Sequence, residues 1–90
     1  MIRSAIIGAG NIADHHLKFI TKMKDVNVVA LIDSNIDMAK ALALKYSVNK
    51  YYSSLDELIK SDKINVLHIC TPPSTHFDIA MRAVKEKINI

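Results

Sequence analysis

The chain contains two glycines, Gly8 and Gly10, and both lie in "IIGAGNIADHH", residues 6–16, directly after an apolar run. Together with Ala13 they fit the pattern G-x-G-x-x-G/A. Each position has a chemical reason. Gly8 permits a tight turn, Gly10 lets a phosphate approach bare backbone, and Ala13 is small enough for a helix to pack closely on the preceding strand. The helix that opens there offers free N–H groups and a partial positive charge to an anion. Asp33 follows Ala13 by 20 residues, at the end of a second apolar run. A carboxylate in that place accepts hydrogen bonds from ribose hydroxyls and repels a 2′-phosphate. No arginine follows it; the next residues are Ser34 and Asn35. The spacing predicts a dinucleotide held by Gly8, Gly10, Asn11, Ile12, Ala13, Asp33 and Ser34, with NAD favoured over NADP.

These residues need elements to position them, and the chain alternates accordingly. Ser4–Gly8, Asn27–Asp33 and Val66–Thr71 are unbroken apolar runs, which predicts buried strands; Tyr51–Tyr52 predicts a short one. Between them, Asn11–Lys24 carries apolar residues near helical spacing, and Ile36–Tyr46 is rich in strong helix formers. "SLDE" at Ser54–Glu57 is a capping box, opening a helix to about Ser61. Pro72–Pro73 stops the fourth strand. Ser74 is expected to cap a last helix through about Lys87, and the final "INI" starts a fifth strand. The expectation is an α/β fold: a Rossmann-type doubly wound parallel sheet in the order 3-2-1-4, with a fifth strand beginning.

Bulk composition excludes several classes. The charge is +3, from 12 Lys/Arg and 9 Asp/Glu, and the lysines are scattered. No basic stripe with interleaved aromatics occurs, so no nucleic acid is expected. No apolar segment approaches the roughly 20 residues that span a bilayer, and no membrane partner is expected. The lone Cys70 suits a reducing cytoplasm. No metal site is expected. His15 and His16 are adjacent and point about 100° apart on a helix, whereas a metal pair needs a spacing of four. They are expected to be exposed, with one of them near the ligand cleft. His68/His76 and Cys70/His76 lack zinc spacing. His68 is expected to be a hydrogen-bonded core histidine, and Cys70 has no neighbouring base to make it a nucleophile. Tyr46, Tyr51 and Tyr52 are expected to pack around the third strand, with Tyr51 or Tyr52 within reach of an adenine.

Taken together, "GAGNIA", "ALID" and "CTPPSTH" resemble the N-terminal half of the glucose-fructose oxidoreductase/inositol dehydrogenase (Gfo/Idh/MocA) family. The resemblance covers essentially the whole chain. It implies that Thr71, Pro72, Pro73 and His76 line the nicotinamide side of the cofactor. It also implies a parent NAD(P)-dependent oxidoreductase acting on a sugar, polyol or related hydroxyl or keto compound, and forming a homo-oligomer. The family's Glu-Lys-Pro motif is not present, since Glu86–Lys87 precedes the fifth strand and no Pro follows. No catalytic residue is assigned. Residues 1–90 are therefore expected to be an incomplete N-terminal dinucleotide-binding domain, inactive alone, and able to self-associate through an exposed strand edge. A non-catalytic dinucleotide sensor is the alternative. A homoserine- or aspartate-type dehydrogenase is a third reading, against which "TPPSTH" argues.

Overall fold

The computed structural model describes residues 1–90, the side chain of Pro73 excepted. Among the described residues, four parallel strands form one sheet in the order β3-β2-β1-β4: β1 Ile2–Ile7, β2 Val26–Ile32, β3 Lys50–Tyr52 and β4 Val66–Ile69. The connecting helices are α1 Asn11–Ile20, α2 Ile36–Lys45, α3 Leu55–Ser61 and α4 Pro73–Lys85. The expected strand order is observed. The fifth strand also begins where expected: Asn89 bridges Val66 in parallel, on the side of β4 away from β1.

Alternating residues of the strands feed two cores. One face carries Ile6 and Leu31 against Ala13, Leu17 and Ile20 of α1 and Leu42 and Ala43 of α2. The other carries Ala5, Ile7, Ala30, Ile32 and Leu67 against Leu55 and Leu58 of α3, Ala83 of α4, and Ile88. A side chain as enclosed as Leu17 or Leu58, both 0% exposed, contributes about 1.5–3 kcal/mol by leaving water. Both faces are covered, which is why the strands read as continuous apolar runs rather than alternating ones.

Several element ends differ from expectation; β4, for one, stops at Ile69 rather than Thr71, and α4 at Lys85 rather than Lys87. Helix α1 ends at Ile20, not Lys24. Ile20 is the last residue of α1 that the core buries, and Met23 is 54% exposed, so nothing sustains another turn. Helix α4 starts at Pro73 with Pro72 in the capping position, so Ser74 is not the cap. A proline in the first turn lacks only an N–H that the helix would leave unbonded. Thr75 does the local work instead: its hydroxyl donates to the Pro72 carbonyl and accepts from the Thr71 hydroxyl, both at 2.8 Å. The capping box forms only by half. Ser54 accepts from the Glu57 amide, but the Glu57 carboxylate takes the Ser53 hydroxyl rather than reaching back to the Ser54 amide.

The helix exits explain the sparing use of glycine. Helices α2 and α4 both end with a 6→1 bond, Val48 N to Ala43 O and Ile88 N to Ala83 O, each 2.8 Å. This closure needs a left-handed residue, commonly glycine. Here Ser47 (φ 57°) and Lys87 (φ 60°) occupy it.

Candidate functional site

Strands β1, β2 and β4 end side by side, and the loops that follow them enclose a cleft of about 430 Å³. Gly8, Ala9 and Gly10 contribute from the first loop, Asp33 and Ser34 from the second, and Cys70, Thr71 and Pro72 from the fourth. This is the crevice at the carboxyl ends of the strands where open α/β sheets take ligands.

The two glycines serve different purposes. Gly8 has φ +101°, and a Cβ there would meet the carbonyl carbon and oxygen of Cys70 at 2.7 Å. It is therefore required by the close approach of the first turn to the end of β4, as well as by the turn itself. At Gly10 a Cβ would meet nothing within 4 Å. The protein leaves that space open, next to the start of α1, which no side chain caps. The first-turn amides of α1 are thus available to an anion.

Asp33 joins the loops. One carboxylate oxygen accepts from the Ala9 amide and the other from the Asn35 amide, each at 2.8 Å. Each oxygen has a second lone-pair direction to offer a hydroxyl. Asn35 in turn caps α2 by accepting from the Asp37 amide at 3.2 Å.

The expected site residues divide. Gly8, Gly10, Asp33, Ser34, Thr71 and Pro72 line the cleft. Ala13 is fully buried beneath it, packed in the core of α1. Asn11 is exposed at the start of α1. Ile12 faces away, lining a shallow groove with His15, His16 and Phe19. His76 also lies outside the cleft, in a second depression beside β4 with His16, His68 and Ile90. Its Nε2–H donates to the Thr71 carbonyl at 2.6 Å, so it touches the cleft through that residue. The side chain of Pro73 lies outside the described residues.

Cleft residues that the sequence did not single out include Thr75, Ile79, Ser53 and Ser54. The spacing of Thr75 and Ile79 by four, in a helix expected from Ser74, was a readable signal. Ser53 and Ser54 follow the third strand, and the general position of ligands at strand carboxyl ends could have pointed to them.

Two histidine expectations are corrected. The His15–His16 pair is not at the cleft. His68 is half-buried rather than a core residue, its ring centroid 5.9 Å from that of His16. Burial, then the neighbouring His16, hold its pKa below the ordinary histidine value. The Tyr52 hydroxyl donates to Asp62 at 2.8 Å, away from the cleft, and Tyr46 reaches Asp14 of α1. Burial pushes the Cys70 thiol up, away from a reactive thiolate. Among the described residues no three His, Cys, Asp or Glu side chains converge as metal ligands. No helix among them is long and apolar enough to cross a membrane.

Comparison with known proteins agrees with this geometry. The sequence model described as "Oxidoreductase family, NAD-binding Rossmann fold" matches residues 2–90. D-glucoside 3-dehydrogenase of Escherichia coli (strain K12) is 32% identical over 93% of the chain and 24% of its own length. A crystal structure of a myo-inositol dehydrogenase from Corynebacterium glutamicum superposes with a TM-score of 0.86 at 34% identity, covering 98% of the chain and 26% of that protein. An oxidoreductase from Agrobacterium radiobacter, solved with NAD+, L-tartaric acid and magnesium, gives a TM-score of 0.90. At 18% identity over 97% of the chain and 25% of its own, it speaks for the fold alone. The chain spans about a quarter of the length of the curated relatives it matches. None of these three supports the reading of a non-catalytic sensor.

Proposed function

The chain belongs to the Gfo/Idh/MocA oxidoreductase family, by its NAD-binding Rossmann fold, and from that premise we propose that residues 1–90 are the cofactor-holding, N-terminal part of an enzyme that oxidises or reduces a sugar, polyol or related hydroxyl or keto compound. The observation that carries the cofactor assignment is Asp33, fixed by the Ala9 and Asn35 amides beside the open space at Gly10. This donor set fits NAD. The Asp33 carboxylate accepts hydrogen bonds from the adenosine ribose hydroxyls. Because both its oxygens are tied to backbone, it cannot swing aside for a 2′-phosphate, which it repels. Gly10 and the first-turn amides of α1, from Asn11 to Ala13, hold the pyrophosphate. Thr71 and Pro72 flank the nicotinamide half, and His76 steadies that loop through the Thr71 carbonyl. The nicotinamide ring, when bound, supplies the hydride acceptor or donor. No residue of the chain is given the proton-transfer role, and residues 1–90 alone are expected to bind NAD without turning over substrate.

Calorimetric titration with NAD and NADP tests this reading. NAD is expected to bind more tightly than NADP, and Asp33→Asn to weaken NAD and narrow the difference. A folded chain that binds neither, or that prefers NADP, would overturn it.

A further inference from the structure

An amino-terminal helix turn that receives a pyrophosphate is a poor place for an acid, because the carboxylate repels the ligand that the helix dipole attracts. Yet Asp14 stands in the first turn of α1. The structure shows how its charge is handled. Lys45, the last residue of α2, places Nζ 2.9 Å from one Asp14 carboxylate oxygen. The hydroxyl of Tyr46, the next residue, donates to the other oxygen and lies 3.2 Å from the Asp14 carbonyl. Lys45 also lines a shallow groove with Ala9 and Met38, so its side chain runs beside the glycine turn itself.

We propose that Lys45 and Tyr46 are positioning residues for the cofactor phosphates: they draw the Asp14 carboxylate toward α2 and neutralise it, so that the amides of α1 face the pyrophosphate without an opposing charge. The proposal rests on the NAD reading above. The Tyr46 hydrogen bond, followed by that of Lys45, holds the Asp14 carboxyl below its ordinary range, and Asp14 in turn raises the pKa of both partners. The carboxylate is thus charged at neutral pH, and compensation is needed. Lys45 is 55% exposed, so the effect is screened by salt.

The test is a cycle of variants of the 90-residue chain, titrated with NAD and, as a probe without phosphates, adenosine. At low salt Lys45→Met is expected to weaken NAD about five-fold and leave adenosine unchanged, with the loss shrinking at about 1 M salt. Asp14→Asn is expected to bind NAD at least as tightly as the wild type. In the Asp14→Asn background, Lys45→Met is expected to have no effect, since no charge remains to be masked. Equal weakening in both backgrounds would assign Lys45 directly to the phosphate and overturn the masking role. Unchanged NAD affinity in Lys45→Met would overturn it as well, as would equal losses for NAD and adenosine. Absence of NAD binding by the folded wild type would instead defeat the cofactor reading, and this proposal with it.

Discussion

Asp33 and Asp62 are two aspartates held by several partners each, and they are held in opposite ways. Asp62, at the end of α3, has a side chain 7% exposed and is bound by side chains: Lys50 at 2.9 Å, Arg3 at 3.4 Å and the Tyr52 hydroxyl at 2.8 Å. Arg3 ties the same corner further, donating through Nε to the Lys63 carbonyl and through its amide to Asn65. Asp33, at the end of β2, is bound by two backbone amides and faces an open cleft. Charge at Asp62 is neutralised within the fold, which leaves nothing for a ligand. Charge at Asp33 is only steadied, with acceptor capacity to spare. A carboxylate satisfied by cations acts as a clamp between elements. One satisfied by amides of ligand-binding loops stays a recognition group.

The largest expected effect comes from the loop that Asp33 supports. Gly8→Val forces a β-branched residue to φ +101° and into the Cys70 backbone, so a loss of about 3 kcal/mol or more is expected, read by urea unfolding. Gly10→Val enters open space; it should leave the unfolding midpoint nearly unchanged and abolish NAD binding in calorimetry. If both variants lost stability equally, the two glycines would have a single, structural role, and the space at Gly10 would not be kept for a ligand.

Exchanging acid for amide at each aspartate separates clamp from recognition group. Asp62→Asn should cost about 1–2 kcal/mol in chemical denaturation without altering NAD affinity. Asp33→Asn should weaken NAD about ten-fold or more with a smaller loss of stability. Reversal of that pattern would break the contrast.

Acid titration places the clamp in its own pH window. Lys50, with Tyr52 and Arg3, holds the Asp62 carboxyl below the ordinary value. Its contribution is complete above about pH 4, the unfolded value, and is lost as pH falls through the lower folded value. The folded pKa of His68 is depressed as well, but for a base this means the unfolded chain takes up the proton first. Stability therefore drops earlier, as pH falls below about 6.5 toward the folded value. Melts from pH 8 to pH 3 should show two steps, with His68→Phe flattening the upper and Asp62→Asn the lower.

The smallest effect concerns a left-handed residue that no ligand approaches. Ser47→Gly should stabilise the chain by about 0.5–1 kcal/mol and leave NAD affinity unchanged. A loss of affinity there would mean that the end of α2, and with it the Lys45–Tyr46 pair, is strained for the sake of the site.

Much of this molecule was legible in local chemistry. A short apolar run rich in β-branched residues, such as "NVVALID", reads as a strand covered on both faces, and two glycines after such a run mark a turn into a helix. These are properties of neighbours along the chain, fixed by φ/ψ sterics and by periods of two and 3.6 residues. The end of α1 is not legible in this way, because Met23 matches the helical period and yet has no core to meet.

The sequence by itself thus determined the alternation of strands and helices, the glycine turn and the placing of Asp33 at a strand end, and general topology rules turned that alternation into a strand order. Only the tertiary structure decided which groups meet across tens of residues: Ala9 with Asp33, Gly8 with Cys70, Asp14 with Tyr46. It also decided that Thr75 faces the cleft while His76 faces the depression beside β4. Adjacent helical residues diverge by about 100°, so which of them reaches a ligand depends on how the whole helix is rotated against the sheet. That rotation is set by the packing of Ala83 and Ile79 into the core, a sum over contacts that no short stretch of sequence contains.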